Sequence, residues 1–289
     1  MTPASLVRLL SLSAIWGASF LFMRMGAPVL GPVPLIACRV LFAAIFLALV
    51  GAALRKPLDL RRNAGHYLVL GLFNSALPFL LFAFAALTLP ASYLVILNTA
   101  LPLFGAVASA IWLSEPLDAA KLAGLVAGAG GVWFVSHAGP VVPDAAFLIA
   151  VAASLGAVLC YALAGVWIKR RGSTLQPIAM AGWSQLLGGL ALLPVAAMSP
   201  VHGAITATIV INVLLLALLG SAVAYMLYFR LIADVGPTRA MTVTFLMPAF
   251  GMLWGWLFLD ETITLPMLAG TALIVGGTAA VVRKRPARA

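Results

Sequence analysis

The sequence predicts an all-α membrane protein: ten transmembrane helices in two inverted five-helix repeats. Three observations lead there. Of 289 residues, 64% are hydrophobic and 8% charged, whereas soluble domains carry about 25% charged residues. Ten apolar stretches follow one another with short connections. A set of residues also returns at an interval of 146 positions: Pro102 and Glu115 as Pro248 and Glu261, Leu122, Ala123 and Gly124 as Leu268, Ala269 and Gly270, and Gly130 and Gly131 as Gly276 and Gly277. Because the chain holds only 7 Asp plus Glu, a glutamate recurring at that interval is informative. A repeat with an odd number of spans enters the bilayer the second time from the opposite side.

Each stretch has roughly 17 to 24 residues, enough as a helix to cross a hydrocarbon core of about 30 Å. The first, Leu6 to Met25, pairs with the sixth, Ala146 to Ile168. Trp16 to Arg24 (WGASFLFMR) has a counterpart in Tyr161 to Lys169 (YALAGVWIK), so the first is read as a span, not a cleaved leader. The second, Val33 to Leu54, pairs with the seventh, Pro177 to Met198; the third, His66 to Leu87, with the eighth, Ile209 to Phe229. The fourth, Ala91 to Trp112, pairs with the ninth, Ala240 to Leu259; the fifth, Leu122 to Ser136, with the tenth, Met267 to Val282. The repeats therefore occupy residues 1–140 and 141–289. With both termini in the cytoplasm, 15 of the 17 Lys and Arg residues fall on the inner side, Arg24 falls outside and Arg39 lies within a span.

The net charge of +10 reports this topology. The basic residues punctuate span ends without forming a patch with interleaved aromatics, so no nucleic-acid partner is expected. Cys38 and Cys160 lie inside spans without metal-ligand spacing, and neither a metal nor a cofactor is expected. No Asp or Glu lies inside a span, and His66, His137 and His202 sit at ends or in loops. A proton-coupled multidrug or metabolite antiporter usually needs such a group in the membrane, and a membrane enzyme acting on lipids needs a nucleophile with a base. Both stay as alternatives to movement down the solute's own gradient; coupling would have to run through loop carboxylates.

Candidate site residues follow from the repeat. In the fourth span Asn98, Pro102, Gly105 and Ser109 share one helical stripe, and in the ninth Thr244, Pro248, Gly251 and Gly255 occupy the same places. Each proline removes the amide that would bond the carbonyl four residues earlier, on Asn98 and Thr244. Such groups must face protein or a watery cavity, because unsatisfied backbone in lipid costs several kcal/mol. Asn74 and Pro78 repeat the arrangement in the third span. The eighth departs from it with Gly220 and Ala224, and offers Ser221, Tyr225 and Tyr228 on one face. Trp16, Phe79, Phe82, Tyr93, Tyr161, Trp183 and Trp254 stand nearby as candidates for an apolar, aromatic lining. Arg39 is the one charge well inside a span. It meets either a substrate carboxylate or Asp260 and Glu261, which end the ninth span on the outer side; the interval favours a tether or gate, since it carries Arg39 onto Gln185 and Glu261 onto Glu115.

These segments are similar to the EamA family of the drug/metabolite transporter superfamily. The resemblance rests on WGASFLFMR, PLIACR, PASYLVILNTALPLFGAVASAIWLSEPL with KLAGLVAGAGGV, and GPTRAMTVTFLMPAFGMLWGWLFLDETI with MLAGTALIVGGT. It implies ten helices in two inverted halves, both termini cytoplasmic, and export of amino acids or related metabolites from the bacterial inner membrane, with broad, partly aromatic specificity. The partners it implies are a small-molecule substrate and the lipid bilayer, with no obligate protein partner.

Overall fold

The computed structural model describes residues 1–55, 60–138, 144–171 and 176–282. Lys56, Arg283, Lys284, Arg285, Arg288 and the expected boundary at 140/141 lie outside the described residues, as do the side chains of Arg61 and Arg62. The described chain is helical, and no strand is found in it. Nine helices are long and apolar enough to cross a membrane among the described residues, and a tenth apolar helix, Val243–Leu259, is shorter. The ten spans are therefore present.

Spans 1 and 2 are α1 (Pro3–Leu30) and α2 (Pro32–Ala53). Thr2 starts α1 by accepting from the Ser5 amide at 3.2 Å. Span 3 is α3 (Leu60–Gly71), a π-helical turn at Leu72–Ala76, and α4 (Leu77–Ala85). Span 4 is α5 (Ala91–Asn98) and α6 (Leu101–Leu113); spans 5, 6 and 7 are α7 (Ala119–Ala138), α8 (Ala145–Arg171) and α9 (Pro177–Met198). Two of the scarce carboxylates, Asp118 and Asp144, accept from the amides of Lys121 at 2.9 Å and Phe147 at 2.7 Å, starting α7 and α8. Span 8 is α10 (Ala207–Ala217), a second π turn at Leu218–Val223, and α11 (Ala224–Val235). Span 9 is α12 (Pro237–Ala240) and α13 (Val243–Leu259), and span 10 is α14 (Leu265–Val282).

Two expectations about broken helices are corrected. Span 4 breaks beside Pro102, where Thr99 and Ala100 make i→i+3 bonds before α6 begins. Span 9 instead breaks at Met241 and Thr242, four residues earlier than the repeat interval puts it, and Pro248 sits inside α13. Span 8 was expected to lack the interruption that Pro78 marks in span 3, yet its π turn begins 146 residues after the first, at Leu218 against Leu72. The wide turn needs no proline; Pro78 follows it in the first turn of α4.

The packing exchanges elements between the repeats. Span 6 packs on spans 3 and 4, through α4, α5 and α6, while span 1 packs on spans 8 and 9, through α10, α11 and α13. Spans 3, 4 and 6 thus form one bundle, and spans 8, 9 and 1 its equivalent. Span 2 packs along span 7, and α7 makes the most extensive pairing, with α14. There the backbones touch: a Cβ at Gly124 would lie 2.5 Å from the Gly277 oxygen, and one at Gly131 2.8 Å from the Gly270 oxygen. The two contacts exchange under the same interval, placing a pseudo-twofold axis between these helices.

Candidate functional site

A cavity of about 340 Å³ lies between the two bundles, within the size range of small-molecule sites, roughly 300–1,000 Å³. Its wall reaches Ile168, Phe229 and Met241, neighbours in sequence of Lys169, Arg230 and Arg239. The cavity therefore extends toward the end of the molecule where the basic residues cluster. At the other end it is shut by core: Phe82, Ala86, Leu89 and Ala91 are at most 1% exposed, and Tyr93 packs edge-on against Phe147 with ring centroids 5.8 Å apart.

The lining obeys the repeat more closely than the side chains suggest. Asn74 and Gly220, Phe79 and Tyr225, Phe82 and Tyr228, Asn98 and Thr244, and Leu101 and Met247 all line the cavity, and each pair is 146 residues apart. Asn74 to Phe79 is a spacing of five, across the first π turn, and Gly220 to Tyr225 repeats it across the second. An α-helix would bring residues three or four apart onto one face; an i→i+5 turn brings the fifth. Trp16 packs on Tyr228 at 5.3 Å between centroids, and Tyr161 on Phe79 at 6.3 Å and Phe82 at 6.4 Å. The Asn74 amide donates to the Tyr225 hydroxyl at 3.3 Å, linking span 3 to span 8.

Trp16, Asn74, Phe79, Asn98, Tyr161, Tyr225, Tyr228 and Thr244 thus converge on one cavity. Tyr93, Trp183 and Trp254, expected beside them, do not line it: Tyr93 is buried in the closed end, Trp183 lies on α9 outside the wall, and Trp254 donates its Nε1 to the Ala14 oxygen at 3.0 Å. Ser221 is displaced by the wide turn and faces Arg39 instead. Ser19, Met180, Ser184 and Met247 line the wall without having been singled out. For Met247 a signal existed, since it and Leu101 are interval partners one turn beyond Thr244 and Asn98.

Arg39 is not a tether to Glu261. It is 2% exposed and lines the cavity. Its Nε donates to Ser221 Oγ at 3.1 Å and its Nη2 to the Gly220 oxygen at 3.5 Å, while the guanidinium carbon sits 3.5 Å from the Phe79 ring centroid. The expected mirror pair of Gln185 with Glu115 is also not formed. Gln185 is fully buried on α9, and Glu115 pairs with Lys169.

The charged contacts at the two ends differ in kind. At the closed end they join the bundles. The Glu261 carboxylate, just past α13, accepts from the amides of Ala91 at 2.6 Å and Ser92 at 3.0 Å, capping α5. Arg24 of α1 donates to the oxygens of Ala86 at 2.6 Å and Leu87 at 2.9 Å, just past α4. At the basic end the pairs of the described residues stay within a bundle: Lys169 with Glu115, between spans 6 and 4, and Arg8 with Asp234 at 2.6 Å, between spans 1 and 8. The backbone at the two glutamates is the same, with Ser114 at φ 55° and Asp260 at φ 53°; only their partners differ.

Known proteins share this architecture. The uncharacterised transporter YvbV of Bacillus subtilis is 27% identical over 90% of this chain and 86% of its own. Protein PecM of Dickeya dadantii is 28% identical over the same shares. A crystal structure of another protein superposes with a TM-score of 0.67 at 18% identity, covering 97% of this chain and 96% of that one, a likeness of fold. The model of the EamA-like transporter family matches twice, at residues 5–137 and 148–283. Ten spans, an inverted repeat and two successive matches along nearly the whole length agree: the chain belongs to the EamA-like transporter family, within the drug/metabolite transporter superfamily.

Proposed function

We propose that the protein exports amino acids, aromatic ones among them, and related small metabolites across the bacterial inner membrane by alternating access. The observation that carries this reading is the cavity between the bundles, aromatic-walled, continuous with one end and shut at the other by contacts that join the bundles. In the orientation that loop charge favours, with both termini in the cytoplasm, the basic end faces inward and the conformation is inward-open. The packing supports rocking of two exchanged bundles, spans 3, 4 and 6 against spans 8, 9 and 1, so that the repeats 1–140 and 141–289 each lend a span to the other's body. Among the described residues no histidine or carboxylate lines the cavity. Facilitative flux needs none, whereas proton coupling or lipid chemistry at this site does.

The test is counterflow of labelled phenylalanine, tyrosine, tryptophan, leucine and lysine in proteoliposomes. Saturable counterflow is expected for the neutral amino acids with apolar bodies. Asn98→Ala and Thr244→Ala should each slow it about fivefold to tenfold, the worth of one net hydrogen bond of about 1 kcal/mol. Wild-type rates in both variants would remove the central site from the pathway, and flux without saturation would indicate a pore.

A further inference from the structure

Arg39 is a cation placed among aromatic rings with no described carboxylate within ion-pairing distance: the ion pairs of the described residues are Arg8–Asp234, Lys169–Glu115 and Arg230–Asp234. Two of its nitrogens are held by Ser221 and Gly220, and the third, Nη1, is buried and has no hydrogen-bond partner among the described residues. Buried charges are ordinarily paired, because leaving one unpaired in a medium of low polarity is costly. The hold on Arg39 comes from both bundles, Ser221 on span 8 and Phe79 on span 3, so the guanidinium sits where the moving bodies meet.

We infer that Arg39 is the anion-recognising group of the cavity: its Nη1 receives the carboxylate of the cargo, whose apolar or aromatic body lies against Phe79, Tyr161 and Tyr228. This deepens the proposal of amino-acid export and rests on it. It makes the carboxylate, not the amine, the feature by which cargo is chosen. Aromatic and apolar acids without an amino group are then cargo too, and the corresponding amides and amines are not. The guanidinium suits the task, since its planar donors match a carboxylate and its face stacks on a ring.

The experiment measures thermal stabilisation of the purified full-length protein by matched ligands: hydrocinnamate against hydrocinnamamide, and phenylalanine against phenylalaninamide. Each acid is expected to bind about 10- to 100-fold more tightly than its amide, the range for a hydrogen bond to a charged group. In Arg39→Gln the ratio falls to about one, and in Arg39→Lys it is partly retained. A role for Arg39 confined to holding the helices would change the melting temperature and leave the ratio alone. Acids and amides binding within twofold of each other in the wild-type protein would overturn the inference while leaving amino-acid export standing. That comparison requires no variant to fold. Binding by none of the four ligands would overturn both.

Discussion

Glu261 holds the closed end of the cavity shut, and its removal has a calculable consequence. Its two oxygens accept from adjacent backbone amides at the start of α5, at 2.6 and 3.0 Å. It lies on Gly255, where a Cβ would come within 2.5 Å of a carboxylate oxygen. Hydrogen bonds to a charged group contribute about 1.5–3 kcal/mol each, and loss of a cap costs about 0.5–2 kcal/mol. Glu261→Gln keeps the shape and one acceptor while removing the charge, so a net loss of about 2 kcal/mol is expected, a shift of roughly 30-fold between open and closed states of this end. The bonds from Arg24 to Ala86 and Leu87 remain and limit the effect. Ala86 is fully buried in this closure. In an Ala86→Cys background with Cys38 and Cys160 replaced by serine, an impermeant maleimide added from the side this end faces, the outer one in the proposed orientation, should label about 10 to 30 times faster in Glu261→Gln, and at least as fast in Glu261→Ala. Labelling at the parental rate in both variants would refute the latch.

Two further substitutions test the frame. Gly277→Ala puts a methyl group 2.4 Å from the Gly124 oxygen, forcing α7 and α14 apart at a cost of about 1–3 kcal/mol; a melting temperature equal to wild type would show that this pair tolerates separation. Thr278→Val removes the buried bond from Oγ1 to the Thr99 oxygen, 3.1 Å long, leaving a carbonyl at the break of span 4 unsatisfied. A loss of about 1–3 kcal/mol is expected in thermal or denaturant unfolding, and none would mean that the carbonyl finds another partner.

The spans, the repeat and most of the lining were legible because they depend on intervals along the chain. Asn98 and Thr244 could be paired at a distance of 146, and both line the cavity. The orientation of each helix about its axis was less legible. Spans in lipid are apolar on every side, so the polar face that positions a soluble helix is missing. Tyr93 shows the difficulty: all eight residues of α5 are buried, and nothing in the pattern separates its cavity face from its packing face. Ser221 was misplaced for another reason. A spacing of four put it with Tyr225 and Tyr228, but the π turn advances the face by one residue and substitutes Gly220. Charge, a common outer side and the repeat interval join Arg39 to Glu261 in the sequence, yet one is deep in α2 and the other lies beyond the end of α13, where a helix N-terminus offers a closer partner.

The wide turns at Leu72 and Leu218 give the cavity two walls of matching register and different chemistry. One wall presents an amide and two bare rings, Asn74, Phe79 and Phe82. The other presents a glycine, Gly220, whose carbonyl accepts from Arg39, and two phenols, Tyr225 and Tyr228. A molecule turned end over end inside this cavity would meet different side chains. The duplicated frame therefore encloses a pocket with a direction, in which a solute polar at one end and flat at the other has one way to lie.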